Sequence, residues 1–149
     1  MISGLTHRIK DKKRFFYFEI VAQLANFVAT NNMKNEFVRE IYYYESYYLD
    51  FFNSLKEKVQ KKFNWTLQLI ATQERISEKY FKHITDSSGI FEIRVEYDSD
   101  IYRVFSFFDK GNLIILVNGF QKKSQRTPKK ELELAEKLKK RYFDEQKEQ

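Results

Sequence analysis

Three short apolar runs follow one another closely in the second half of the chain, at residues 90–97, 101–108 and 113–118. Each run is rich in β-branched and aromatic side chains, which favour strands. The connections, Asp98-Ser99-Asp100 and Asp109-Lys110-Gly111-Asn112, are short enough for hairpins. The three runs therefore predict an antiparallel meander, and this meander limits what the remainder of the chain can form.

Strand and helix patterns flank the meander. Residues 37–44 are rich in strand formers, and residues 45–72 then change to helical spacing, which predicts one long helix or two short ones. Thr127-Pro128 is a helix-start signature, because a capping hydroxyl precedes proline at the first helical position, and it opens a charged helix to about residue 143. We expect an α+β domain with a mainly antiparallel four-stranded sheet, helices on one face and a basic site on the other.

The first 33 residues differ from the rest. A basic stretch at residues 8–14 precedes an apolar stretch at 15–29, as in a signal peptide, although Glu19, Gln23 and Asn26 interrupt the apolar run. Two alternatives stay open: translation begins at Met33, or the segment is an amphipathic helix. The apolar face of that helix would consist of Phe16, Ile20, Leu24 and Phe27. We therefore treat residues 1–33 as an N-terminal extension and residues 34–149 as one domain.

Composition limits the chemistry and the partner. The chain has no cysteine and only two histidines, so disulfides and thiolate metal sites are excluded. We expect a cytoplasmic protein that has no membrane partner and needs no metal or small-molecule cofactor. The net charge is +6, and residues 121–130 contain five basic side chains and no acidic one. A polyanion is the natural partner of such a local excess of positive charge.

Three segments carry a resemblance to a known family: GIFEIRV at residues 89–95, IYRVF at 101–105 and LVNGFQKKSQRTP at 116–128. In this order and spacing they resemble the phage-derived HigB-type toxins of the RelE/ParE superfamily, over about residues 37–143. The resemblance implies a RelE-like microbial RNase fold and a type II toxin-antitoxin toxin that cuts mRNA in the ribosomal A site. It also implies two partners, the ribosome with its mRNA and a helix-turn-helix antitoxin.

Metal-free RNA cleavage needs a base near the 2′-oxygen, an acid near the leaving oxygen and positive charge at the developing phosphorane. If the strands at residues 90–97 and 101–108 pair through their turn, Arg94 and Arg103 can lie across from each other and clamp a phosphate. Lys122 and Lys123 follow the last strand, and one of them can act as the base. Some members of the resembling family use a histidine or a C-terminal tyrosine instead, so the catalytic assignment of these four residues is a hypothesis.

A second group of residues is predicted to bind RNA: Lys82, His83, Phe120, Arg126 and Lys129. Each candidate also has a plain structural interpretation. Arg94 shares its face with Glu92 and Glu96 and can form salt bridges, the lysines can be a solvated charge run, Phe120 can be a core residue, and His83 can be structural. Two other functions stay open: a ParE-like toxin that poisons DNA gyrase, and a noncatalytic module that binds RNA or the ribosome.

Overall fold

The computed structural model describes residues 37–148, so the predicted extension at residues 1–33 lies outside the described residues. The elements are β1 (Glu40–Tyr43), α1 (Tyr47–Ser54), α2 (Glu57–Thr72), β2 (Phe81–His83), β3 (Ile90–Tyr97), β4 (Asp100–Phe108), β5 (Leu113–Lys122) and α3 (Lys129–Lys147). The α+β prediction is confirmed, and the helical region at 45–72 forms two helices. Among residues 37–148, no helix is both long and apolar enough to cross a membrane.

The sheet has five strands in the order β1-β5-β4-β3-β2. The predicted meander is confirmed, because β3, β4 and β5 pair antiparallel in sequence, while β1 pairs parallel with β5 at one edge. Asp98 and Ser99 close the first hairpin with positive φ angles of 47° and 70°, as a two-residue primed turn requires. The prediction of four strands is wrong: β2 adds a fifth at the other edge, and its three residues are too few to show a clear alternation.

Helices cover both faces of the sheet, so the prediction that they pack on one face is wrong. The helices α1 and α2 cover one face, where Phe63, Leu67 and Ile70 pack against Ile93 and Val104. The helix α3 covers part of the opposite face. Its buried side chains Ala135, Leu138 and Tyr142 pack in a cluster with Phe105, Phe107, Ile115 and Val117. Because β4 and β5 carry apolar side chains on both faces, each face needs its own cover.

Polar contacts fix the position of α3 at its two ends. Near its start, the Asn118 amide on β5 donates to the carbonyl oxygen of Glu131 at 3.0 Å. Near its end, the Tyr142 hydroxyl donates to Asp109 at 2.7 Å. Pro128 occupies the N-cap position, one residue before the place that the sequence predicted for it, and no side chain caps this end. The helix therefore begins beside Asn118, near the middle of β5, and runs back over the sheet toward Asp109 at the end of β4.

Gly119 on β5 permits close packing of α1. A methyl group at position 119 would overlap the ring of Phe51, which packs directly against the glycine backbone. We predict that Gly119→Ala lowers the free energy of unfolding by about 1–3 kcal/mol, the usual cost of overpacking, as measured by urea denaturation. The cost should shrink when Phe51→Leu is added, because the two substitutions share one contact. A Gly119→Ala protein as stable as the original would show that this contact does not constrain the helix.

Candidate functional site

Arg94 and Arg103 form a directly opposed cross-strand pair. The register pairs Arg94 on β3 with Arg103 on β4, so the predicted juxtaposition is confirmed. Directly opposed residues project to the same face of a sheet. Helix α3 covers part of this face. The arginine pair lies beyond Phe105, toward the hairpin at residues 98–99 and away from the body of the helix. Two guanidiniums thus lie side by side near one end of the sheet.

Two carboxylates neutralise the arginine pair. Glu92 bridges it, with Oε1 at 3.3 Å from the Nε atom of Arg94 and Oε2 at 3.8 Å from the Nε atom of Arg103. Glu96 is 4.0 Å from the Nη2 atom of Arg103. The Arg103 side chain is only 2% exposed, and its burial and the charge of Arg94 lower its pKa. An arginine stays protonated in proteins, so the buried positive charge depends on Glu92.

The Arg94 side chain is more accessible than that of Arg103, and residues next to the edge strand β2 hold it in place. Its side chain is 27% exposed, and its Nη1 atom donates to the carbonyl oxygen of Glu78 at 3.1 Å. Its backbone N–H donates to the carbonyl oxygen of Tyr80 at 2.8 Å. The segment before β2 therefore orients this guanidinium. Sequence reasoning missed this support, because backbone acceptors leave no signal in the identity of the residues that carry them.

Lys122 joins the two arginines on the same face. The strand β5 extends to Lys122, four residues beyond its predicted end, and its register pairs Phe120 with Arg103 and Lys122 with Ile101. Lys122 is therefore a diagonal neighbour of Arg103, within reach of a long side chain. Lys123 lies just past the strand and is exposed. The structure thus brings Arg94, Arg103 and Lys122 together and leaves Lys123 at the margin.

A β-bulge in β5 produces this arrangement. Ser106 pairs with Leu116 but Val104 pairs with Gly119, so Val117 and Asn118 together oppose Phe105. Strict alternation from Leu116, which packs in the α1 and α2 core, would turn Lys122 toward that core as well. The extra residue shifts the alternation by one position. Lys122 therefore faces the arginine pair because of the bulge.

The candidate RNA-binding residues lie in different places. Lys82 is opposite Glu92 on the arginine face, with its Nζ atom 3.9 Å from Glu78. His83 is opposite Phe91 on the other face, and their ring centroids are 5.0 Å apart. The structure therefore does not bring His83 to the arginine pair.

The three remaining candidates for RNA binding are Phe120, Arg126 and Lys129. Phe120 is 8% exposed and its ring packs edge-on against Phe105, so it is a core residue, the structural alternative that the sequence left open, and not an exposed RNA-binding ring. Arg126 is exposed in the loop after β5, and Lys129 is exposed in the first turn of α3. Within residues 37–148, no group of three or more histidine or acidic residues is placed to hold a metal ion.

Burial of the arginine pair has a consequence for stability. We predict that Arg103→Ala lowers the free energy of unfolding by about 3–5 kcal/mol, because it leaves the buried Glu92 with one partner fewer. Arg94→Ala should cost less, since this side chain is partly solvated. Urea denaturation of both variants measures the difference. Equal losses, or no loss for Arg103→Ala, would show that Glu92 does not depend on Arg103.

The part of the chain that contains these residues matches a known protein family. The model of the phage-derived Gp49-like family (DUF891) matches residues 50–140, from within α1 to within α3. None of the curated proteins compared with the chain matches it. The family match covers more than half of the 149 residues and includes the arginine pair and Lys122. The chain therefore belongs to the phage-derived Gp49-like family, a family of RelE/HigB-like toxins.

Proposed function

We propose that this protein is the toxin of a type II toxin-antitoxin system and that it cleaves mRNA in the ribosomal A site. Its family, a group of RelE/HigB-like toxins, supports the toxin role. The observation that carries the RNase role is the convergence of Arg94, Arg103 and Lys122 on one sheet face. In this proposal the domain is a RelE-like microbial RNase fold that acts in the cytoplasm and is silenced by a helix-turn-helix antitoxin.

The proposed reaction needs no metal. The 2′-hydroxyl attacks the adjacent phosphorus, a new O2′–P bond forms, and the P–O5′ bond breaks. One side chain takes the proton of the 2′-hydroxyl and another protonates the leaving 5′-oxygen. The products are a 2′,3′-cyclic phosphate and a free 5′-hydroxyl. Guanidiniums stabilise the negative charge that develops on the phosphorane, because their planar N–H groups match phosphate oxygens.

The residues divide into three roles. Arg94 and Arg103 bind the scissile phosphate, and Lys122, a diagonal neighbour of Arg103 on the same face, transfers a proton. The exposed Lys123, Arg126 and Lys129 attract the RNA backbone from the loop after β5 and the start of α3. Lys82 extends the same face toward the edge strand β2. The exposed side chains thus attract the RNA backbone, and the chemistry depends on the less exposed Arg94, Arg103 and Lys122.

The carboxylates have separate roles in this scheme. Glu92 is buried between the two guanidiniums and keeps them in place. Glu96 has a side chain that is 64% exposed and lies 4.0 Å from Arg103, so water can solvate it when it moves away. A phosphate that enters the site replaces Glu96 as the partner of Arg103. Because the Glu96 carboxylate is solvated whether or not it contacts Arg103, this exchange leaves no buried carboxylate without a partner.

Single-turnover cleavage on ribosomes programmed with mRNA tests the function. We expect the full chain to yield a 2′,3′-cyclic phosphate, and Lys122→Arg to slow cleavage about a hundred- to ten-thousandfold, because arginine cannot release a proton near neutral pH. Lys123→Arg, which keeps an exposed charge, is the matched control and should cleave at the original rate. Ribosome binding without any cyclic phosphate would instead identify a noncatalytic module. Inhibition of DNA gyrase without cleavage would identify a ParE-like toxin.

The competition between Glu96 and phosphate leads to a separate prediction. Glu96→Gln should tighten RNA binding about two- to fivefold, because it removes a competitor for Arg103 that is worth about as much as a surface ion pair. Asp144→Asn is the control: it removes one negative charge from an ion pair with Lys140 in the last part of α3. Binding of labelled RNA by both variants is compared at one salt concentration. If both variants bind RNA more tightly by the same factor, the effect comes from net charge and not from competition for Arg103.

A further inference from the structure

A pair of aromatic rings lies at the surface beside two lysines, outside both core clusters. Trp65 on α2 is 40% exposed, and its ring centroid is 5.5 Å from that of Tyr80, which immediately precedes β2. The Nζ atom of Lys62 lies 4.6 Å from the Trp65 ring centroid, and that of Lys79 lies 5.6 Å from the Tyr80 ring centroid. We call these four residues the Trp65 patch. Sequence reasoning missed it because Lys79 and Tyr80 are distant from Trp65 along the chain.

The Trp65 patch is continuous with the arginine pair around the edge of the sheet. The carbonyl oxygen of Tyr80 accepts the backbone N–H of Arg94, and the carbonyl oxygen of Glu78 accepts its guanidinium. The segment at residues 78–80, which carries the Tyr80 ring and the Lys79 ammonium, therefore also holds Arg94 through the carbonyl oxygens of Glu78 and Tyr80. A chain that reaches Arg94 from this edge passes over the patch first.

We infer that the Trp65 patch is a stacking platform for an unpaired base of single-stranded RNA. Lys62 and Lys79 bind the phosphates on either side of that base. The inference rests on the proposed function, because it extends the path of the RNA from the arginine pair. It adds a contact with the bases to a site that otherwise contacts the backbone.

The composition of the patch favours RNA over an acidic protein segment. An acidic segment needs the two ammonium groups but has no use for an exposed indole, whereas each base has a flat face that stacks on an aromatic ring. The ammonium of Lys62 now covers the indole. A cation over an exposed ring contributes less than a stacked base, and the end of a lysine side chain moves easily. Lys62 can therefore turn to a phosphate when a base takes its place.

Trp65 is the only tryptophan of the chain, so its fluorescence reports directly on the patch. The full chain is titrated with single-stranded 2′-O-methyl RNA of about eight nucleotides, which fills one short binding site and lacks the attacking hydroxyl. Inorganic polyphosphate and polyglutamate are the control probes, because they carry negative charge without bases. We expect RNA to quench the fluorescence and the two controls to leave it nearly unchanged. A response to polyglutamate or polyphosphate as large as the response to RNA, or no response to RNA, would overturn the inference.

Variants separate stacking from charge. Trp65→Ala should weaken the binding of labelled RNA about tenfold, and Trp65→Phe, which keeps an aromatic face and the packing against Tyr80, should retain most of the affinity. Lys62→Ala and Lys79→Ala should each lower the log-log salt slope by about 0.7. Tyr47→Ala removes a similarly exposed ring at the start of α1 and should not change binding. A Trp65→Ala protein that binds RNA as tightly as the original contradicts the inference.

Ribosome cleavage distinguishes this inference from the proposed function. Cleavage of mRNA without any change in Trp65 fluorescence on RNA binding would refute the platform and leave the RNase role standing. Quenching by RNA without cleavage would refute the RNase role and leave the platform standing. The two readouts depend on different residues, since the fluorescence change comes from Trp65 and cleavage depends on Lys122.

Discussion

A buried guanidinium on the central strand requires a carboxylate partner, and the local structure around the candidate site depends on this pairing. Arg103 lies on β4, which has neighbours on both sides, and its side chain is almost inaccessible to solvent. Glu92 supplies the opposite charge from β3, and Arg94 shares that carboxylate. Removing one partner of a buried ion pair leaves a charge in a medium that solvates it poorly. Folding of β3 against β4 and assembly of the arginine pair are therefore one event.

This coupling makes the candidate site rigid at its centre and adaptable at its rim. Glu92 and Arg103 are enclosed by the sheet and its cover, so their geometry is set before any ligand arrives. Glu96 and the loop at residues 123–126 are exposed and can rearrange without disturbing the core. A preorganised centre lowers the cost of stabilising charge in a transition state, because the dipoles need not reorganise during the reaction. An exposed rim leaves room for a long polyanion.

Local patterns predicted the elements well and their packing less well. The meander, its hairpins and the opposition of Arg94 and Arg103 followed from alternation and turn residues. The fifth strand was missed because Phe81–His83 is too short to alternate, and it is defined by pairing with β3. The position of α3 on the second face could not be predicted, because alternation shows that a face is apolar but not which helix covers it. Phe120 was ambiguous for the same reason, since only the packed structure shows that Phe105 and α3 enclose it.

The bulge at Val117 and Asn118 has a consequence for the length of β5. Because two residues of β5 oppose one residue of β4 at the bulge, each later residue of β5 faces the side of the sheet opposite to the one that strict alternation would give it. Loss of one codon at the bulge itself would leave a regular ladder in which Gly119 still faces Phe51 and Lys122 still faces the arginine pair. Loss of one codon after the bulge, at Phe120 or Gln121, would instead turn Lys122 toward the α1 and α2 core while the bulge is kept. A substitution, in contrast, changes one side chain and leaves the faces of the other residues unchanged. The end of β5 therefore has a fixed length between the bulge and Lys122, because a change of length there exchanges the faces of all the residues that follow.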